Sequence, residues 1–229
     1  WTLANGTLVQ TIETGMPISA MALSDDSKVL LAAGADMHLR AYDPVEGSLL
    51  QDQLAVAPQG TVAFQPGTKD YLSADATGTI FTWAYASPVQ TAGFTGHTAV
   101  YGVDFNNAGT LAASCGATGP IQVWNLETGA AVRQLAGHEG AVYSVRFSDD
   151  DKMLVSSSAD GTVRVWNVED GALIKSLAVP TAEGQATSPV FDAELSPDGQ
   201  LVASGGSEGV IQLWNVASGG LVRTIGAKG

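Results

Sequence analysis

His138, Ser156 and Asp160 place in one stretch the imidazole, hydroxyl and carboxylate that a serine hydrolase uses as base, nucleophile and orienting acid, and Trp166 follows close behind. The same groups also suit a buried hydrogen-bond chain, because a histidine inside a core needs partners for both ring nitrogens. Partial copies elsewhere in the chain decide between the two uses. At matching offsets stand His97, Ser114, Thr118 and Trp124; then Ser204, Glu208 and Trp214 with no histidine; then Ser73, Thr77 and Trp83; then Ala32, Asp36 and Tyr42. A catalytic set is expected once, with further groups around it, whereas a stabilising device recurs and decays. The set therefore reads as structural, and the chain as having no catalytic residues.

Other chemistries find less support. The clusters Asp25-Asp26 and Asp149-Asp150-Asp151 lack the spaced acidic loop and distal glutamate of a calcium site, and read as solvated turns. Three widely separated histidines do not make a zinc motif, and His38 reads as an exposed loop residue. No cofactor motif is present. Cys115, the one cysteine, lies in the apolar run LAASCGA and reads as a small core residue; it leaves the compartment open.

The copies imply an element that repeats. Trp1, Tyr42, Trp83, Trp124, Trp166 and Trp214 follow one another at steps of 41, 41, 41, 42 and 48 residues. A turn former comes five residues after each: Gly6, Gly47, Pro88, Gly129, Gly171 and Gly219. Within residues 136–177 the runs AVYSVRF, MLVSSS, TVRVWNV and ALIKSL are strand-like, cut by polar SDDDK, ADG and EDG. Four strands in about 40 residues is the pattern of a propeller blade. The Gly-His pairs at 96–97 and 137–138, upstream of the Trp-Asn pairs IQVWN and VRVWN, complete a resemblance to the WD-repeat β-propeller family along essentially the whole chain. Irregular copies with SPDG-like turns resemble bacterial members.

The expected fold is all-β, with five complete four-stranded blades at about 13–54, 55–94, 95–135, 136–177 and 178–225. Residues 1–12 would add one outer strand of an incomplete blade. The family resemblance implies a parent ring of seven blades, so this stretch would form an arc or a forced smaller ring. An arc would expose strand edges and apolar blade faces, which favours self-association.

A net charge of −13 disfavours nucleic acid and anionic membrane surfaces as partners. No apolar run approaches the ~18 residues of a spanning helix. Acidic residues, among them Asp70, Glu127, Asp149 and Glu169, collect in the turns of one face, while Arg133, Lys175 and Arg223 recur on the outer strands, where charge discourages edge pairing.

On the opposite face, VYGVDF, VYSVRF and VFDAEL put Tyr101, Tyr143 and Phe191 at one register, where the first two units have Ser19 and Gly60. In peptide-binding members of the family this position lies on the rim of the central channel. With Asp192 and Glu139 beside them, the aromatics would hold an apolar or cationic side chain. The longer segment 179–190 projects onto the same face. The expected function is a non-catalytic scaffold for a protein or peptide partner. The alternative is an accessory propeller of an enzyme or cytochrome-type protein whose catalytic domain lies elsewhere.

Overall fold

Runs of five to seven alternating β-branched, aromatic and polar residues, broken by Gly- and Asp-rich turns, make strands too short to be stable except in stacked sheets. The computed structural model describes residues 7, 8, 10–86, 89–118, 120–180 and 187–226, and these form twenty strands in five sheets.

The first sheet holds β1 (Ile18–Leu23), β2 (Leu30–Gly34), β3 (His38–Tyr42) and β4 (Leu49–Leu54). The second holds β5 (Gln59–Phe64), β6 (Tyr71–Asp75), β7 (Thr79–Ala84) and β8 (Val89–Thr95). The third holds β9 (Val100–Phe105), β10 (Leu111–Gly116), β11 (Ile121–Asn125) and β12 (Ala131–Leu135). The fourth holds β13 (Val142–Phe147), β14 (Met153–Ser158), β15 (Thr162–Asn167) and β16 (Leu173–Ala178). The fifth holds β17 (Val190–Leu195), β18 (Leu201–Gly206), β19 (Ile211–Asn215) and β20 (Leu221–Ile225). Each is an antiparallel meander in sequence order, and we call these sheets blades 1 to 5.

The third strand of every blade carries the repeating aromatic, and the ladder to the fourth strand slips there in all five sheets. The reversal just beyond it needs a left-handed residue, supplied by Gly47, Gly129, Gly171 and Gly219 with φ between 70° and 76°. Trp1, Gly6 and Pro88 lie outside the described residues.

The core consists of four clusters, each shared by two consecutive blades. In the cluster between blades 4 and 5, Val155, Val163, Val165 and Leu177 meet Val190, Ala193, Leu195, Val202 and Trp214. Every blade therefore has a leading face, bearing the aromatic, and a trailing face, and at each junction the trailing face of one blade packs on the leading face of the next. Clusters join blades 1 and 2, 2 and 3, 3 and 4, and 4 and 5; the ring is an open arc. The inner strands β1, β5, β9, β13 and β17 stand side by side along its inner wall.

The outer strand expected within residues 1–12 lies largely outside the described residues. Of its residues Thr7, Leu8, Gln10, Thr11 and Ile12 are described, and none belongs to a strand. A ladder needs a neighbouring third strand, and among the described residues none stands beside them. They nonetheless keep an outer strand's position. A side chain added at Gly47 would meet Gln10 Nε2 and Ile12, as one at Gly171 would meet Leu135 and Arg133 at the same register of blade 3.

A candidate partner-binding surface on the inner rim

The start of each inner strand is irregular for one physical reason. Val142 pairs with Ser158 and Ser144 with Ser157, so Tyr143 is the extra residue of a β-bulge. Tyr101, Phe191, Ser19 and Gly60 occupy the same bulge in their blades. A bulge removes a residue from the ladder and re-aims its side chain. Tyr101 is accordingly 44% exposed and Phe191 52% exposed, despite lying in strands.

The three aromatics are brought together. Tyr101 stacks on Tyr143 with ring centroids 5.9 Å apart and planes at 23°, and Phe191 meets Tyr143 edge-on at 5.6 Å. Asp192 joins them, accepting a 2.5 Å hydrogen bond from Ser144 Oγ. Glu139 does not; it lines a neighbouring groove with Thr118, Pro120 and His138. Of the longer segment, 181–186 fall outside the described residues; its ends are tied down by Val179 N donating to Gly161 O and by Ser188 bonding Glu208.

The small bulge residues of blades 1 and 2 also matter. Ser19 and Gly60, with Ala35, Pro58, Ala76, Val100 and Tyr101, line a mostly apolar cup of about 280 Å³ beside the aromatic row. Deeper in the wall, Asp104, Arg146 and Glu194 occupy one register of blades 3, 4 and 5. Asp104 accepts the Phe147 N–H at 2.8 Å, and Arg146 lies 3.7 Å from Glu194. Burial pushes the Asp104 carboxyl up to about 6.

His138, Ser156, Asp160 and Trp166 form a continuous chain. Trp166 Nε1 donates to Ser156 Oγ at 2.9 Å; His138 Nε2 lies 2.8 Å from Ser156 Oγ, and Nδ1 lies 2.8 Å from Asp160. Ser156 is fully buried, so its hydroxyl cannot meet a substrate. Burial holds the His138 imidazole below its ordinary range, while hydrogen bonds from Thr162, His138 and the Glu139 N–H hold Asp160 at about 2 against the opposing effect of burial. Trp83, Trp124 and Trp214 make the same bond to Ser73, Ser114 and Ser204. Blade 2 supplies its acid two residues earlier than expected. Asp75, buried, accepts from the Thr77 N–H, the Thr77 hydroxyl and the Thr79 N–H.

Three other sequence readings change. His38 is not a loop residue: it opens β3, and its Nδ1 lies 2.5 Å from Asp52. Asp151 is not simply solvated, since it accepts from Asn106 Nδ2, the Asn107 N–H and the Ala108 N–H of the preceding blade. Arg133 does more than mark an edge, donating through Nε and Nη2 to the Glu169 carbonyl of the next blade. Cys115 is fully buried, with its thiol pushed up to about 12. Among the described residues no cluster of His, Cys, Asp or Glu is placed to hold a metal. A further cleft of about 570 Å³, lined by Asp70, Tyr71, Asn125 and Glu127, opens between blades 2 and 3, away from the aromatics.

The repeating tryptophan, the serine beneath it and four-stranded sheets stacked face to face define a propeller built of WD-type blades. Comparison with protein families agrees: the family described as WD domain, G-beta repeat matches residues 6–43, 86–125, 129–167 and 176–215, more than half of the chain. The chain belongs to the WD-repeat family. The longest unmatched interval, 44–85, includes β4, β5, β6 and β7, the last three belonging to the blade with a displaced acid. No curated protein matches the chain.

Proposed function

We propose that the chain is a non-catalytic scaffold that binds a protein or peptide on its inner rim, through Tyr101, Tyr143, Phe191 and the adjoining cup. WD repeats generally mediate protein–protein interactions. The observation that carries the site is the three-ring row, exposed at Tyr101 and Phe191 with Tyr143 half-buried between them, built on β-bulges beside an apolar cup of side-chain size. Rigid aromatics that exclude water commonly dominate binding energy. Asp192, at the row's end, favours a basic residue next to the apolar anchor of the partner. Glu139, in its separate groove, would meet a second part of the same partner. The acidic turn face adds steering rather than affinity.

The test is binding of the triple variant Tyr101→Ala, Tyr143→Ala, Phe191→Ala to a randomised peptide library that the parent chain enriches. Loss of about 2 kcal/mol or more is expected if these are hot spots. Asp150 and Asp151 bond the turns, so the charge control is Glu127→Gln, Asp149→Asn, Glu169→Gln, which should alter mainly salt dependence. Peptides lost only with the charge variant would place the site on the other face.

A further inference from the structure

Equivalent positions on successive blades measure what the open arc leaves uncovered. On the leading face of blade 4, Val142, Val145 and Phe147 are buried under blade 3. Their counterparts on blade 1 are Ile18, Met21 and Leu23, all exposed, with Met21 at 64% where Val145 is at 0%. On the trailing side, Val163 and Leu177 of blade 4 are buried under blade 5. Their counterparts on blade 5, Ile211 and Ile225, are exposed, Ile211 at 49% against 0%. The two open faces are thus further examples of the two faces that mate at every internal junction.

The outer third of the leading face is already occupied. Gln10 and Ile12 lie against Gly47, where the outer strand of a preceding blade would lie. Residues 8–12 read LVQTI, and β20 of blade 5 reads LVRTI. They differ at one position, Gln10 against Arg223, and Arg223 stands at the register from which Arg133 clasps the next blade. The segment at the head of the chain is therefore a near copy of the outer strand at its tail, and both claim one place.

We propose that copies of this chain associate head to tail. The trailing face of blade 5 of one copy packs on the leading face of blade 1 of the next, and segment 8–12 replaces β20 as the fourth strand of the joined sheet. The exchange conserves the outer-strand side chains while burying Met21, Leu23 and Ile211, so it costs little and gains apolar contact. The contact is heterologous: each copy offers one donor and one acceptor face, giving a ring or a filament. A charge of −13 on each copy opposes the contact, so added salt strengthens it. The proposal is independent of the rim reading.

Sedimentation velocity at tens of micromolar tests it. The parent chain should show at least twice the monomer mass, rising with salt. Met21→Lys and Ile211→Lys, both at exposed sites, should each give monomers with unchanged circular dichroism, and their mixture should give dimers and nothing larger, since one intact face of each remains. A mixture of Thr11→Cys with Gln212→Cys should form a disulfide-linked dimer, because Gln212 pairs with Thr224, the counterpart of Thr11. Monomeric parent chain at all concentrations and salts overturns the proposal, and so does association that survives either lysine variant. Association without the cross-link overturns the strand exchange. The aromatic triple variant should leave the mass unchanged, which separates this result from failure of the rim site.

Discussion

Ser156 accepts a hydrogen bond from Trp166 and donates its own proton to His138, whose other nitrogen faces Asp160, so the group that looked nucleophilic is fully engaged. His138→Ala should cost ~1–3 kcal/mol through unpaired buried groups. Blade 3 offers the converse experiment. There, among the described residues, no acid faces the buried His97 Nδ1, and the Thr118 hydroxyl, in the acid's register, bonds Thr98 instead. Thr118→Asp should complete the chain and stabilise by about 1 kcal/mol in urea denaturation. No change in either variant would mean that the chain is incidental to stability. Both shifts in blade 4 act in the same direction with pH. His138 lies below 6.5 and Asp160 below 3.8, so the unfolded chain binds each proton first, and stability falls as the pH drops through those values. The tetrad was legible in the sequence because it recurs at fixed offsets. The roles of Asp75 and His38 were not, since Asp75 serves from two residues before the acid's register and His38 meets Asp52 across the β3–β4 ladder, and pairing between strands is what brings such groups together.

Inner strands and outer strands each carry one device that composition alone does not announce. The register of Tyr101, Tyr143 and Phe191 could be read from aligned runs, but their projection depends on a bulge, and a bulge is a property of pairing between strands. Likewise Ser19 and Gly60 look uninformative as letters and become the walls of a cup once the bulge turns Tyr101 beside them. The outer-strand cations show the same limit. Arg133 reaches the Glu169 carbonyl of the following blade, and Lys175 lies along Gly219 of the blade after its own, whereas Arg223 stands on the last blade of the described arc. Arg133→Ala should therefore lower stability by about 1 kcal/mol, the order of an exposed charge-assisted hydrogen bond. Arg223→Ala should leave the monomer within about 0.5 kcal/mol of the parent chain, as surface substitutions usually do. Thermal unfolding of the two variants at low concentration separates a clasp between blades from a general edge charge, which would make them equal.

An array whose units touch only their neighbours has stability that sums over blades and junctions, so an open arc is weakest where a junction is missing. Blades 2, 3 and 4 each lie between two apolar clusters; β6 is buried at every residue, and β14 has only its first residue less than fully buried. Blades 1 and 5 each have one cluster; β1 is exposed or half-exposed throughout, and β20 is exposed at every residue. Amide hydrogen exchange should therefore be slowest in β6, β10 and β14 and fastest in β1 and β20, with the spread reflecting local opening rather than global unfolding. The comparison must be made in dilute, low-salt solution, where copies of the chain are apart. Raising concentration or salt should then slow β1 and β19 selectively while leaving β14 unchanged, since only the open faces acquire cover. Exchange of β20 should move the other way, because it surrenders its place in the sheet to segment 8–12 of a second copy. Uniform protection across the five blades in dilute solution would contradict the open arc itself. Slowing of β20 together with β19 would keep the head-to-tail contact but refute the exchange of strands.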